Sequence, residues 1–139
     1  MMLKLKILGV PMAKQSFRFT RSGRKYQPAE VGRYENNIQA QIISQLPENW
    51  EPFAGPVKVV TLVYTFLYLK SQKRYATEKI LIPKTTKPDL TDNLNKSLFD
   101  AMQSIVYVND SQVWAMDDVK KIYGPIPGID LVMELYNES

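Results

Sequence analysis

The chain has 139 residues, no cysteine, no histidine, and 18 basic against 14 acidic side chains, for a net charge of +4. That composition excludes disulfide frameworks, zinc fingers, thiolate nucleophiles, Ser-His-Asp triads and haem ligation, and leaves carboxylates and amides to hold any metal, a donor set suited to hard ions such as Mg²⁺ or Mn²⁺. A hydrophobic share of 45% and an aromatic share of 11% speak against disorder, and the length fits one domain spanning 1–139.

Residues 2–8 alternate Leu3, Leu5 and Ile7 with Lys4 and Lys6, which predicts a strand with one wetted face. This start has no continuous apolar signal-peptide core. The longest nearly apolar run, 59–69, falls short of the about 20 residues that a membrane-spanning helix needs. A soluble cytoplasmic protein is therefore expected. Next comes a basic stretch interleaved with aromatics, Phe17-Arg18-Phe19-Thr20-Arg21 and then Arg24-Lys25-Tyr26, with Gly23 at the tip of a turn or hairpin. Its cations suit phosphate contacts, with Ser16, Thr20 and Ser22 as neutral donors. Phe17, Phe19 and Tyr26 also read as ordinary core-facing strand residues, and for the two phenylalanines that reading is the stronger.

Pro28 opens a helix whose apolar stripe is Val31, Tyr34, Ile38, Ile42 and Leu46, and Pro47 ends it. Residues 56–68 are β-branched and aromatic on both faces, the pattern of a central strand. The basic stretch 70–88 reads as a long loop with a short strand or helical turn near Ile80. A second helix is predicted over 91–104. Leu94, Leu98, Ala101 and Ile105 form its buried stripe, and Asp92, Lys96 and Asp100 stand four apart on another face. A strand-like piece, 105–108, leads to Asn109-Asp110-Ser111. A strand around 112–122 follows, then a turn through Gly124-Pro125-Ile126-Pro127-Gly128. The final strand, 129–136, has Ile129, Leu131, Met133 and Leu135 facing in. The order predicts one α+β domain, a mixed sheet packed by two main helices.

The charge is unevenly spread. Residues 1–34 carry Lys4, Lys6, Lys14, Arg18, Arg21, Arg24, Lys25 and Arg33 against Glu30 alone, and 67–87 carry Lys70, Lys73, Arg74, Lys79, Lys84 and Lys87 against Glu78. Residues 88–139 reverse the balance, with three basic and nine acidic side chains. Two basic segments beside an acidic third fit a polyanion-binding surface next to a carboxylate cluster, and equally fit solvated loops.

Asp89 and Asp92 bracket the start of the second helix, Asp100 lies along it, and Asp110 follows the next short segment. Hydrolysis of a phosphodiester calls for carboxylates converging on divalent metal, which activates water and stabilises the leaving oxygen. Lys96, one turn beyond Asp92, is placed to donate to the phosphate as charge builds. Each acid also has a purely structural explanation. Asp89 and Asp92 suit a helix N-terminus, Asp92–Lys96 is an ordinary surface ion pair, and Asp110 within Asn-Asp-Ser is turn chemistry. Asp117 and Asp118 read as solvated.

Lys87-Pro88-Asp89-Leu90-Thr91-Asp92-Asn93-Leu94-Asn95-Lys96, then Phe99-Asp100-Ala101-Met102, then Val108-Asn109-Asp110-Ser111-Gln112-Val113, resembles the RusA family of Holliday junction resolvases. Gly9-Val10-Pro11, Lys14, Arg18 to Arg21, Gly23-Arg24, Tyr26, Pro28 and Tyr34-Glu35 are similar to family members as well, in order along most of the chain. The resemblance implies a homodimeric, Mg²⁺-dependent endonuclease that nicks four-way DNA junctions symmetrically and leaves ligatable 5′-phosphates. It implies Asp89, Asp92 and Asp110 as metal-binding aspartates, Lys96 as the catalytic lysine and Asp100 in a supporting role. Three departures stand out. Two residues, Leu90 and Thr91, separate Asp89 from Asp92 where many members have one, so a register shift or bulge is required there. Asn109 replaces the first acid of the usual Asp-Asp pair, and Ser16 replaces an arginine of the basic loop.

The expected protein is a dimer that offers basic faces from 14–25 and 70–87 to branched DNA. Lys14, Arg18, Arg21, Arg24, Lys25, Lys73 and Arg74 contact phosphates; Asp89, Asp92, Lys96 and Asp110 form the site. The cofactor is Mg²⁺, with Mn²⁺ as a substitute, and no membrane or small-molecule cofactor is involved. Two rival readings remain open: a non-catalytic junction-binding dimer, and a metal-dependent nuclease acting on other branched DNA or on RNA.

Overall fold

The computed structural model describes residues 1–13, 18–19, 21–26, 29–78 and 80–137, with 18, 19, 25, 26 and 31 described by their backbone. In chain order it forms β1 (Met2–Leu8), β2 (Arg18–Phe19), β3 (Lys25–Tyr26), α1 (Ala29–Gln45), β4 (Val57–Leu67), β5 (Ile82–Pro83), α2 (Asn95–Met102), β6 (Val113–Gly124) and β7 (Gly128–Leu135). Five strands make one mixed sheet in the order β1-β7-β4-β6-β5, and β2 pairs with β3 separately. This is the expected α+β domain with two main helices.

β4 lies at the centre, antiparallel to β7 and parallel to β6. A bulge accounts for its two-faced apolar sequence: the register against β7 slips between Val59 and Thr61. Val57 and Val59 are buried before the slip, and Leu62, Tyr64 and Phe66 after it. The buried positions therefore change parity while staying on one face of the sheet. Leu3, Leu5 and Ile7 of β1 join them, as do Ile129, Leu131 and Met133 of β7. Ile38 and Ile42 of α1, with Leu98, Ala101 and Met102 of α2, close the core over that face. Leu135, expected inside, is partly buried.

Both edges of the sheet are covered or cut short. On β1, Lys6 and Leu8 turn backbone groups outward, and two α1 carboxamides meet them. Gln45 accepts from Lys6 N–H (2.8 Å) and donates to Lys6 C=O (2.7 Å). Gln41 does the same at Leu8 (2.7 and 2.9 Å). At the opposite edge β5 is two residues long and ends in Pro83, which limits further strand addition.

β4 and β6 run parallel, so the chain between them must cross over. That crossover carries a 3₁₀ turn (Lys70–Tyr75), β5, a wide turn (Leu90–Leu94), α2 and a second 3₁₀ turn (Asp110–Gln112). All four acids singled out by sequence sit on it.

The structure corrects two local expectations. The helix predicted over 91–104 is regular only from Asn95 to Met102; before it, Leu90–Leu94 is a π turn in which Asp92 (φ −137, ψ −105) leaves the helical path. The piece 105–108 is not a strand, because Tyr107 makes only isolated bridges, to Phe53 and Gln103. The turn through 124–128 joins the last two strands as expected, without closing a hairpin. β6 and β7 are not neighbours, and Pro125-Ile126-Pro127 carries the chain past β4, which pairs with both. Gly128 is required at the landing point, where a Cβ would stand 2.5 Å from the Ile7 carbonyl oxygen. Gly23, at φ +81, lies in the turn of the β2–β3 hairpin as expected. Phe17 and the helix-opening Pro28 lie outside the described residues. No helix among the described residues is long and apolar enough to cross a membrane.

Candidate functional site

The wide turn ahead of α2 is built by one hydrogen bond of unusual span, from Leu94 N–H to Asp89 C=O (3.4 Å). An i→i−5 bond admits one more residue than an α-helical turn. The turn lies between Asp89 and Leu94 and contains Asp92, at the place where the resemblance implies a register shift or bulge. Asp89, in extended conformation, precedes the turn, Asp92 lies inside it, and both are exposed.

Both ends of this turn are tied to the sheet. Asn95 donates to Leu90 C=O (2.8 Å) and accepts from the Tyr64 hydroxyl (2.8 Å). Tyr64 is buried in β4, and burial pushes its phenol well above the ordinary value, so it remains a donor. Ahead of the turn, the Lys121 ammonium on β6 donates to Thr86 C=O (2.6 Å) and Pro88 C=O (2.7 Å). Lys121 pairs with Tyr64 across the parallel strands, so the two side chains rise from the same face of the sheet.

Asp110 is set by a different device. Asn109 accepts from Ser111 N–H (2.9 Å), which opens the 3₁₀ turn. The Gln112 carboxamide makes four bonds: it accepts from Val108 and Asn109 N–H (2.9 and 2.8 Å) and donates to Phe53 and Gly55 C=O (2.7 and 2.9 Å). In Asn-Asp-Ser-Gln the outer residues thus hold the loop, and Asp110 is left exposed. Asn109 caps the turn, a task that aspartate performs as well.

Asp110 and Asp100 both act on Tyr107. Its phenol is buried and donates to Phe99 C=O (2.6 Å). Burial, then the negative charges of Asp110 and Asp100, raise its pKa far above normal. Lys96 turns toward Asp100 (3.8 Å), not toward Asp92, which corrects the ion pair expected from spacing. Its side chain stays 58% exposed, so the pair adds little stability and the ammonium is accessible from solvent.

Beside Lys121, the Lys84 ammonium donates to Thr86 Oγ1 (2.8 Å) and to the Tyr123 hydroxyl (3.1 Å), and it lies over the Phe66 and Tyr123 rings at 4.9 and 4.8 Å. Bonds from Thr86 and Lys84 lower the pKa of Tyr123. Of the residues expected to contact DNA, Arg21 and Arg24 in the hairpin and Lys73 and Arg74 on the first 3₁₀ turn are exposed. Lys14 lies outside the described residues, and Arg18 and Lys25 are described as strand backbone.

The donor chemistry suits a hard divalent cation, since Asp89, Asp92 and Asp110 are exposed carboxylates. Among the described residues no three acids are grouped closely enough to hold an ion alone. Mg²⁺ commonly takes one or two carboxylates and completes its shell with water and substrate phosphate, and the exposed acids fit that mode. Reading the sequence identified the acids but not the residues that hold them: Tyr64, Asn95, Gln112 and Lys121. One signal was present for Lys121. It shares strand parity with Val119 and Tyr123, on the side of β6 that faces the helices.

Two comparisons bear on this arrangement. The family model described as "Endodeoxyribonuclease RusA" matches residues 9–134. An "Uncharacterized protein YqaN" of Bacillus subtilis (strain 168) is 31% identical over 138 residues, covering 94% of each chain.

Proposed function

The chain belongs to the RusA endodeoxyribonuclease family, and from that premise we propose that it is a homodimeric, metal-dependent endonuclease that resolves four-way DNA junctions by paired symmetric nicks. The observation that carries the reading is the wide turn 90–94, which holds Asp89 and Asp92 exposed with both its ends bonded to the sheet. Asp89, Asp92 and Asp110 are the candidate ligands for Mg²⁺, or Mn²⁺ in its place, with water and substrate phosphate completing the shell that one or two carboxylates begin. When bound, the ion supplies an activated water and neutralises phosphate charge. Lys96, exposed in the first turn of α2, donates to the phosphate oxygens as negative charge develops on them. Arg21, Arg24, Lys73 and Arg74, with Lys14, Arg18 and Lys25, engage backbone phosphates, which dominate affinity without reading sequence. Paired cuts on opposed strands require two sites related by two-fold symmetry, hence a dimer. Its place is the cytoplasm, at the nucleoid.

A labelled synthetic four-way junction with Mg²⁺ tests the proposal. Wild type is expected to give two symmetric nicks with ligatable ends. Asp92→Asn and Asp110→Asn are expected to lose at least about 10³-fold in rate, a drop of roughly 4 kcal/mol in transition-state stabilisation, while keeping junction affinity. Full nicking by Asp92→Asn would refute the site. Binding without paired nicks in wild type would favour the non-catalytic junction binder. Preference for flaps, duplex or RNA over junctions in competition would favour the third reading.

A further inference from the structure

Lys121 is a charged residue on the face of the sheet that the helices cover. It follows Val119 at the same parity and precedes Tyr123, with Tyr64 beside it on β4. A lysine in that position loses hydration, and the loss is balanced only if its donors are used. Two of them are. Lys121 Nζ donates to Thr86 C=O (2.6 Å) and Pro88 C=O (2.7 Å). The Pro88 carbonyl belongs to the peptide unit whose nitrogen is that of Asp89, so the ammonium fixes the plane from which Asp89 departs. The path into this point is also defined. β5 pairs with β6 through Ile82–Tyr123 and Pro83–Ile122, and Lys84 N–H extends the ladder to Lys121 C=O (3.0 Å). Beyond Lys84 the backbone leaves the sheet, and the Lys121 side chain catches it again just before Asp89. On the far side, Tyr64 holds Asn95, which holds Leu90.

We infer that Lys121 is a positioning residue for the metal-binding carboxylates: with Tyr64, its cross-strand neighbour, it clamps the acid-bearing turn at its entry and exit, and so sets the affinity of the site for its divalent ion. This rests on the nuclease reading above. Charge-assisted bonds to carbonyls are among the stronger kinds, and a small displacement of a ligand-bearing segment is enough to weaken a site that depends on it. The role assigned to Lys121 runs through the backbone carbonyls of Thr86 and Pro88.

The test compares wild type, Lys121→Met and Lys121→Arg in three measurements: Mg²⁺ titration of junction cleavage at saturating DNA, junction affinity in EDTA, and amide hydrogen exchange across 86–95 without metal or DNA. Lys121→Met is expected to raise the Mg²⁺ concentration for half-maximal cleavage about tenfold or more. Its rate at saturating Mg²⁺ should stay within about threefold of wild type, its affinity in EDTA should be unchanged, and exchange should quicken within 86–95. Lys121→Arg keeps donors and charge and is expected to restore most of the Mg²⁺ midpoint. A midpoint for Lys121→Met equal to wild type would overturn the inference, as would a loss shared equally by the arginine variant. If wild type cuts no junction, the nuclease reading fails by itself. Exchange then decides the clamp: acceleration confined to 86–95 supports it, and unchanged exchange overturns it.

Discussion

Tyr64 and Tyr107 are 1% and 0% exposed, and both hydroxyls point toward the α2 region: Tyr64 donates to Asn95 Oδ1 (2.8 Å), with Leu94 C=O at 3.4 Å, and Tyr107 donates to Phe99 C=O. Burial is the main cause that raises both pKa values, joined at Tyr107 by Asp110 and Asp100. The folded protein therefore keeps phenolic protons that the unfolded chain releases above about pH 10. Stability from this source is full below that pH and is lost as pH rises beyond it, at about 1.4 kcal/mol per pH unit for each phenol. Denaturant unfolding from pH 8 to 11.5 should show the decline, and Tyr107→Phe should make it shallower by about that amount. Parallel curves for the two proteins would show that Tyr107 ionises freely. At this scale the acids were legible in the sequence, because aspartates beside a helix start and in a turn announce themselves. Tyr107 was not legible, because its significance arises from two carboxylates that converge on it through folding.

Among the elements, α1 has two tasks, and only one is visible as periodicity. Its Ile38 and Ile42 stripe reads directly as a core face. The Gln41 and Gln45 pair looks like ordinary helix surface, yet it satisfies the outward backbone groups of Lys6 and Leu8 on the edge strand. Replacing both by alanine removes the four bonds to the edge strand, along with those from Gln45 to Gln41 C=O and from Gln41 to Asn37. Because these groups are exposed, water replaces part of the loss, and a destabilisation of about 2 kcal/mol is expected. The uncovered edge should also promote self-association. Denaturant midpoints and static light scattering check both, and an unchanged midpoint would mean that water serves the edge equally well. β4 teaches a related lesson. Its apolar residues on both parities read as a strand covered on both faces, whereas a bulge at Val60 keeps the buried set on one face. A bulge depends on the partner strand's register, which the strand's own sequence does not contain. The π turn at 90–94 differs: the resemblance implied a register shift or bulge there.

For the molecule as a whole, the net charge of +4 averages over opposed regions. The exposed cations of the hairpin and of the 70–75 turn lie outside the crossover's acid-bearing turns, and a polyanion would meet them through long-range attraction. Arg21→Ala and Arg24→Ala should each weaken junction binding and reduce the slope of log affinity against log salt by about one unit per lost phosphate contact. Cleavage at saturating DNA should remain near wild type. An unchanged salt slope, measured by binding titrations from 50 to 200 mM salt, would remove the hairpin from the DNA surface.

The sequence by itself determined the donor chemistry, the α+β class and the approximate place of each long element. Composition and local periodicity carry those properties, and no distant partner can alter them. Tertiary structure alone decided that β6 and β7 flank β4 instead of pairing, that Lys96 meets Asp100, and that Lys121 and Tyr64 grip the turn that bears Asp89 and Asp92. Those contacts join residues that lie tens of positions apart, or choose among several partners within reach. The choice follows from the register of a sheet whose strands find one another only when the whole chain has folded.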